Sequence, residues 1–287
     1  MKKLRGGAIP SVASKTPNNE EAPSYGRNEC GWPQGPFESV RKSRSGKHGI
    51  TYLSAVKITT WNIRHGGGSR TEAIKAVLDE VQSSDVLVIT EFRPNKNADV
   101  ICAHLEALGF SHQFRTVEEP KKNGVLVASK TPFEGSMDDA LADHSHRVAV
   151  AQFPGLKLFG CYFPQQKEKQ KVFDYLIDAC REGDSNVITG DINTGLHYAD
   201  ETGASFYCAD ALKALNDGDM PDAYRHLHGD KREFTWFSNA GNGFRIDHFM
   251  VSRLLLPRVE ACHYDHAPRE SKASDHSVMT LELEVSK

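Results

Sequence analysis

Asn186-Val187-Ile188-Thr189-Gly190-Asp191-Ile192-Asn193 is a short apolar run that ends in a glycine and two spaced polar residues. Val187, Ile188 and Thr189 read as a buried strand bounded by polar residues. Gly190 frees the backbone where a Cβ would crowd a close neighbour. Asp191 and Asn193 are two apart, so along an extended chain both side chains point to one side. A carboxylate and an amide presented together at a strand end can handle a water, a metal ion or a phosphate oxygen. Taken alone, the same residues also describe a strand entering an Asx-rich turn, with both polar groups tied to local backbone. The ends of the other strands decide between the two.

Upstream, residues 56–61 read as a strand. Residues 70–82 place Ala73, Ile74, Val77, Leu78 and Val81 on one helical face. Val86-Leu87-Val88-Ile89 is a continuous apolar strand of the doubly buried type. A helix over about 98–108 presents Ile101, Leu105 and Leu108, and Gly109 stops it. Residues 124–129, 147–153 and 156–163 read as strands, with Pro154-Gly155 a hairpin turn. The helix over about 167–181 buries Val172, Phe173, Leu176, Ile177 and Cys180. Downstream come a helix near 206–215 and strands near 233–237, 245–252, 259–264 and 278–285. Strands and helices alternate early and hairpins dominate later, which makes a mixed α/β domain.

The 287 residues, 39% hydrophobic and 25% charged, fit a globular protein with a full core. No apolar run approaches the ~18 residues needed to span a bilayer. Met1-Lys2-Lys3-Leu4-Arg5 has the basic start of a signal peptide, but no apolar segment follows, so secretion is not expected. The six cysteines are scattered without a Cys-x-x-Cys pair, which points to reduced thiols and a cytoplasmic location. Residues 1–55 hold nine Lys/Arg and four Asp/Glu, a net +5, against 26 basic and 34 acidic residues, a net -8, in the rest. That first segment carries five Pro, seven Gly and seven Ser without periodicity, and is expected to be a disordered basic tail. Its cluster Arg41-Lys42-Ser43-Arg44-Ser45-Gly46-Lys47 is a solvated linker or an arm for nucleic acid. No methionine lies between Met1 and Met137, so a non-standard start near Val56 would leave the catalytic domain, 56–287, complete.

Polar residues recur wherever an apolar strand stops. Asn62 follows the first strand and Glu91 the second; Asp191 and Asn193 follow the central one. Asp247 lies in Phe244-Arg245-Ile246-Asp247-His248, and Ser274-Asp275-His276 precedes the last strand. One such site alone would more often cap a turn, but several in order favour chemistry. Attack of water on phosphorus needs a hard oxygen-ligated cation, an oriented nucleophile and donors for the growing charge. Glu91 with Asn62 offers carboxylate and amide oxygens suited to Mg²⁺. Asp191 can activate the water, Asn193 can donate to a phosphate oxygen, and a carboxylate-held His276 can carry positive charge.

This order of residues resembles the endonuclease/exonuclease/phosphatase family over residues 56–287. Gly160-Cys161-Tyr162-Phe163-Pro164-Gln165, Asp222-Ala223-Tyr224-Arg225-His226, Phe234-Thr235-Trp236-Phe237 and Arg245-Ile246-Asp247 resemble motifs of its exonuclease III-type abasic-site nucleases. The resemblance implies a four-layer α/β sandwich of two mixed sheets flanked by helices. It implies Mg²⁺ or Mn²⁺ held by Glu91 and Asn62 with Asp275 alongside, and water activated by Asp191. Asn193 and Tyr162 would contact the phosphate, and Asp247 would orient His276. Ile63-Arg64-His65-Gly66-Gly67-Gly68 and Phe92-Arg93 look more like wider phosphoesterase branches. Trp236 and Phe244 either line a sugar or base pocket or fill the core, and Arg245 joins them as a substrate-binding candidate. His65 and His197, near the site residues in sequence, read as exposed loop residues, with contact to phosphate the alternative for either.

The expectation is therefore a monomeric, divalent-metal-dependent phosphodiesterase cutting DNA, without a membrane partner. The alternatives are a phosphoesterase acting on a phosphoinositide, a sphingomyelin-type lipid or a nucleotide, or a catalytically silent binding module.

Overall fold

Alternation along the strands builds the layers. In the second strand Val86 and Val88 enter one core together with Val187 and Val251, while Leu87 and Ile89 enter another with Ile74, Val77 and Leu105. Successive side chains on a pleated strand face opposite sides, so a strand apolar on both faces must be covered on both.

The computed structural model describes residues 55–117, 119–180 and 183–284. Its strands are β1 (Ala55–Asn62), β2 (Val86–Phe92), β3 (His112–Arg115), β4 (Gly124–Ser129), β5 (Glu134–Ser136), β6 (Val148–Phe153) and β7 (Leu156–Tyr162). They continue as β8 (Asn186–Asp191), β9 (Trp236–Phe237), β10 (Gly243–Phe244), β11 (Asp247–Val251), β12 (Val259–Asp265) and β13 (Val278–Glu284). The α-helices are α1 (Thr71–Glu80), α2 (Ala98–Ala107), α3 (Lys169–Ala179), α4 (Ala209–Asp217), α5 (Ala223–His228) and α6 (Ala267–Glu270).

One sheet has the order β12-β13-β1-β2-β4-β3 and the other β11-β8-β7-β6-β5. Each holds one parallel pair, β1–β2 or β7–β8, flanked by antiparallel strands. The sheets share a central core that includes Ile58, Val88, Val127, Ala149, Leu158 and Phe249. Ile74, Leu78, Ile101 and Leu105 of α1 and α2 cover the outside of the first sheet. Val172, Phe173, Leu176, Leu212 and Leu215 of α3 and α4 cover the second. The result is the expected four-layer α/β sandwich of two mixed sheets flanked by helices.

Gly190 has φ +132°, and a Cβ there would collide with the Cys161 carbonyl of the parallel neighbour. No residue other than glycine suits that position. Differences from the expected elements are local. Ile177, assigned to the buried face of α3, is 43% exposed because the helix lies on the sheet along a narrower stripe. Helix α5 was not foreseen; the Asp222 side chain caps it by accepting from the Arg225 N–H at 3.0 Å. The strand expected near 233–237 shrinks to a two-residue arm paired with β10. Strand β1 starts at Ala55, and the rest of the expected tail lies outside the described residues. The five described cysteines are free. Among the described residues, no helix is long and apolar enough to cross a membrane.

Candidate active site

The sheet topology brings the polar strand ends to one edge of the sandwich. Asn62, Glu91, Tyr162 and Asp191 lie at the C-terminal ends of β1, β2, β7 and β8. Strand β11 is antiparallel to β8, so Asp247 at its start faces Asp191 across the ladder. Strand β13 is antiparallel to β1, which delivers Ser274, Asp275 and His276 to the same edge. The Ser274 hydroxyl donates to the Asn62 carbonyl and fixes that loop.

Asp191 is the centre of the site and is 2% exposed. Its Oδ2 accepts from Asn62 Nδ2 at 2.9 Å and its Oδ1 from the Asn193 N–H at 2.9 Å. Burial pushes its carboxyl up to about 7; His276 opposes this, the Asp247 and Glu91 charges reinforce it, and the Asn62 hydrogen bond opposes it. His276 Nδ1 lies 2.8 Å from Asp247 Oδ2, and its Nε2 stands 4.0 Å from Asp191 Oδ2. Burial works against the imidazolium, yet the Asp247 charge and hydrogen bond, aided by Asp191 and Asp275, raise it to about 10. His276 is thus a cation across the neutral range.

Glu91 sits in a bulge of β2 with φ +53°, where the β2–β4 register shifts. The bulge turns its side chain towards the edge rather than along the pleat. Its Oε1 accepts from Asn62 Nδ2 at 3.2 Å and its Oε2 from the His65 N–H at 2.8 Å and Asn123 Nδ2 at 3.1 Å. Asn62 lies beside Glu91, with a lone pair of its Oδ1 still free. Two carboxylates flank it, so its amide nitrogen turns towards both, while its Oδ1 accepts from the Arg64 N–H at 2.8 Å. Asp275 is 35% exposed at the side chain and lies 3.4 Å from Arg64 Nε.

Tyr162 is raised to about 12 by burial and then by the Glu91 and Asp191 charges, so it remains a neutral phenol. Its hydroxyl accepts from Asn123 Nδ2 at 3.3 Å, and the Arg147 guanidinium lies 4.7 Å from its ring centroid. Asn193 takes φ +55°; its Nδ2 donates to the Phe163 carbonyl at 2.9 Å and its Oδ1 accepts from Gln165 Nε2 at 2.6 Å. One amide hydrogen remains for a ligand. The buried Lys169 amine donates to the Asn193 carbonyl and holds this turn.

Trp236 and Phe244 pair across the β9–β10 arm with ring centroids 5.7 Å apart, and Phe206 packs edge-on against Phe244 at 5.6 Å. Trp236 and Phe244 are both half-buried. Arg245 is not a surface ligand. It is 0% exposed, with Nε 2.6 Å from Asp200 Oδ1 and Nη2 2.7 Å from Asp222 Oδ2. Phe244 faces outward in extended chain, so its neighbour must face inward. His197 bonds Glu201 Oε1 at 3.0 Å, whereas His65 Nδ1 lies 2.6 Å from Glu91 Oε2.

Asn123 and Arg147 were not among the expected site residues, whereas His65, read first as an exposed loop residue, does lie at the site. Asn123 precedes a strand rather than following one, but β4 is antiparallel to β2, so its beginning lies beside the end of β2. A polar residue before an apolar run was the available signal.

Among the described residues, no three acidic, histidine or cysteine side chains converge into a metal cage. A hard cation that keeps several waters needs only one or two carboxylates. Glu91 Oε1 accepts one hydrogen bond and keeps a lone pair, and Asp275 is partly open to solvent, so this edge fits such an ion.

A buried carboxylate pair flanking an imidazolium, at the joined edges of two mixed sheets, defines a hydrolase of the nuclease and phosphodiesterase class. The chain belongs to the Endonuclease/Exonuclease/phosphatase family, whose model matches residues 59–276. It is 26% identical over 264 residues to the DNA repair nuclease APEX1 of Danio rerio, covering 80% of this chain and 83% of that protein. The fold resembles an AP endonuclease from Archaeoglobus fulgidus, with a TM-score of 0.69 and 22% identity over 80% of this chain and all of that one. It also resembles the 3' phosphatase NExo from Neisseria bound to a product DNA hairpin, with a TM-score of 0.68 and 21% identity over the same shares.

Proposed function

We propose that this protein is a divalent-metal-dependent phosphodiesterase whose substrate is DNA. The observation that carries the reading is the line Asp247–His276–Asp191, with Asn62 joining Asp191 to Glu91. A carboxyl poised near 7 and an imidazolium about 4 Å away suit proton removal beside a site of growing negative charge.

Asp191 takes a proton from the attacking water, whose oxygen forms the new bond to phosphorus in line with the leaving oxygen. The P–O bond on the far side breaks, and the leaving oxygen takes a proton from solvent. His276, oriented by Asp247, donates to a non-bridging oxygen as charge accumulates. The free amide hydrogen of Asn193 and the neutral Tyr162 phenol add donors to the same phosphate. Glu91 and Asp275 would hold the cation, and Asn62 keeps Glu91 and Asp191 in fixed relation. When bound, the cation supplies positive charge to the phosphate and the leaving oxygen.

DNA is favoured by the named relatives and by the Trp236–Phe244 pair, a ready face for a base or base-less sugar. The experiment is hydrolysis by the full chain with Mg²⁺ or Mn²⁺ against abasic duplex DNA, single strands, a small phosphodiester and phosphomonoesters. Cleavage of DNA that is abolished by chelation and by Asp191→Asn supports the reading. Turnover confined to small or lipid phosphoesters, or unaffected by chelation, overturns it.

A further inference from the structure

The β9–β10 arm that carries Trp236 and Phe244 is a two-stranded sheet of its own, separate from the two large ones. Thr235, the residue just before β9, is fully buried and joins the arm to the sandwich. Its N–H donates to the Phe244 carbonyl at 2.8 Å. Its Oγ1 accepts from two consecutive backbone amides, the Ile246 N–H at 3.1 Å and the Asp247 N–H at 3.3 Å. The hydroxyl's own proton turns to the Phe244 carbonyl, 3.4 Å away. A hydroxyl offers one proton and two lone pairs, so all three are committed. The Thr235 carbonyl accepts from the Ser277 N–H at 3.0 Å.

The residues gripped in this way are those that aim the catalytic pair. Asp247 Oδ2 meets His276 Nδ1 at 2.8 Å, and Ser277 follows His276 directly. Between β10 and β11 the chain leaves the strands at Arg245 and Ile246, so a side chain serves as the acceptor for the amides there. A second set of contacts fixes Ser277. His266 Nδ1 lies 2.7 Å from Ser277 Oγ, and its Nε2 lies 2.9 Å from Oε2 of Glu233, two residues ahead of Thr235. Ser277 is fully buried, so this line of acid, imidazole and hydroxyl presents no nucleophile to a substrate. It is a clamp that ties Ser277 back to the arm.

We propose that Thr235 is a positioning residue for the Asp247–His276 pair, which its hydroxyl and carbonyl hold in register with the aromatic arm. The proposal rests on the reading of His276 as the donor to the phosphate. Loss of the hydroxyl frees the start of β11, and the imidazole that Asp247 orients moves with it. Asp191, held by Asn62 Nδ2 and the Asn193 N–H, keeps its place. The step that suffers is therefore turnover rather than binding.

The test is cleavage of abasic duplex DNA by the full chain with saturating Mg²⁺, assayed well below the melting temperature of each variant. Thr235→Val keeps the shape and the backbone but removes Oγ1. It should lower kcat by about 10- to 10²-fold, the scale of a misplacement of up to about 1 Å, with KM little changed. Thr235→Ser restores the hydroxyl and should recover kcat to within about threefold, the scatter allowed to a change that leaves the contact intact. Because Thr235 acts through His276, Thr235→Val placed on His276→Ala should cost no more than about threefold beyond His276→Ala alone. If Thr235→Val does not fold, His266→Phe takes its place: it breaks the clamp from a half-buried position and should show the same loss of kcat and the same non-additivity. A role in stability alone would lower melting while leaving kcat at the wild-type value, and that result overturns the proposal. So does a loss confined to KM, or one that multiplies with His276→Ala. If wild type does not cleave, or His276→Ala turns over like wild type, the reading of the site fails and the proposal falls with it.

Discussion

Replacing His276 by alanine and Asp247 by asparagine, singly and together, tests whether the pair works as one device. The two side chains are 4% and 2% exposed, and among the described residues their 2.8 Å contact is the one hydrogen bond of the His276 ring. His276→Ala removes the donor aimed at the phosphate, a loss of about 10²- to 10³-fold in kcat, or roughly 3–4 kcal/mol. Asp247→Asn leaves the ring in place but removes the charge that outweighs burial, so the imidazolium is no longer sustained at neutral pH. Both changes therefore abolish the same interaction. If the contributions were independent, the double variant would lose about 10⁴- to 10⁶-fold on that scale. As a unit, it should lose no more than about 10²- to 10³-fold, which is a coupling of about 3 kcal/mol. The assay is kcat on saturating DNA and metal, with thermal melting to confirm folding. Losses that multiply would refute the pairing and make Asp247 a metal-side acid acting separately.

Three further outcomes are expected. Trp236→Ala or Phe244→Ala should reduce cleavage of abasic DNA far more than hydrolysis of a small diester; equal losses would remove the aromatic pair from substrate contact. Arg245→Met removes the buried cation shared by Asp200 and Asp222 and leaves only Arg225 beside the first and His248 beside the second, so melting at pH 7 should reflect a loss of up to about 3–5 kcal/mol. Burial opposes ionisation of Asp222, but Arg245 and His248 hold its carboxyl far below the usual range. Its stabilisation in wild type is present above about pH 4 and is lost only as the pH falls through the lowered folded value. In the variant that value rises, so the gap in melting temperature should narrow from pH 7 towards pH 4, and a constant gap would refute the account. Deleting residues 1–54 should leave melting and small-diester hydrolysis nearly unchanged while weakening DNA binding at low salt, and a large fall in melting temperature would contradict this.

Strand ends were legible because their cause is local. Val187-Ile188-Thr189 can only be a buried strand here, and Gly190 announces the close approach of Cys161. What was not legible depends on the partner strand. Asn123 reaches the site through the antiparallel direction of β4, a tertiary fact absent from its own neighbourhood. Arg245 has the composition of a phosphate ligand, yet one step of strand alternation sends it to Asp200 and Asp222 instead of to solvent. Asn62 stands at the strand end where it was expected, but that its amide nitrogen would join two carboxylates depends on Asp191 arriving from the other sheet. Left-handed φ at His65 and Glu91 leaves no trace in residue type, so their contact could not be read in advance.

The site belongs to neither sheet alone. Glu91 comes from the first sheet and Asp191 from the second, and one amide group, Asn62 Nδ2, bonds both across the seam at 3.2 and 2.9 Å. Its geometry therefore depends on how closely the sheets approach. Gly160 of β7 sets that spacing: any Cβ there would stand 2.9 Å from a Val88 methyl and 3.2 Å from a Val125 methyl of the opposite sheet. Two residues further along β7 lies Tyr162, and Gly160 pairs with Thr189, two residues before Asp191. A side chain at Gly160 would wedge the sheets apart just behind the site, lengthening a hydrogen bond that tolerates only tenths of an ångström. The two parallel pairs can align their carboxylates only because a core residue well removed from solvent has no side chain. Packing at that point and chemistry at the edge are for this reason one constraint on the sequence.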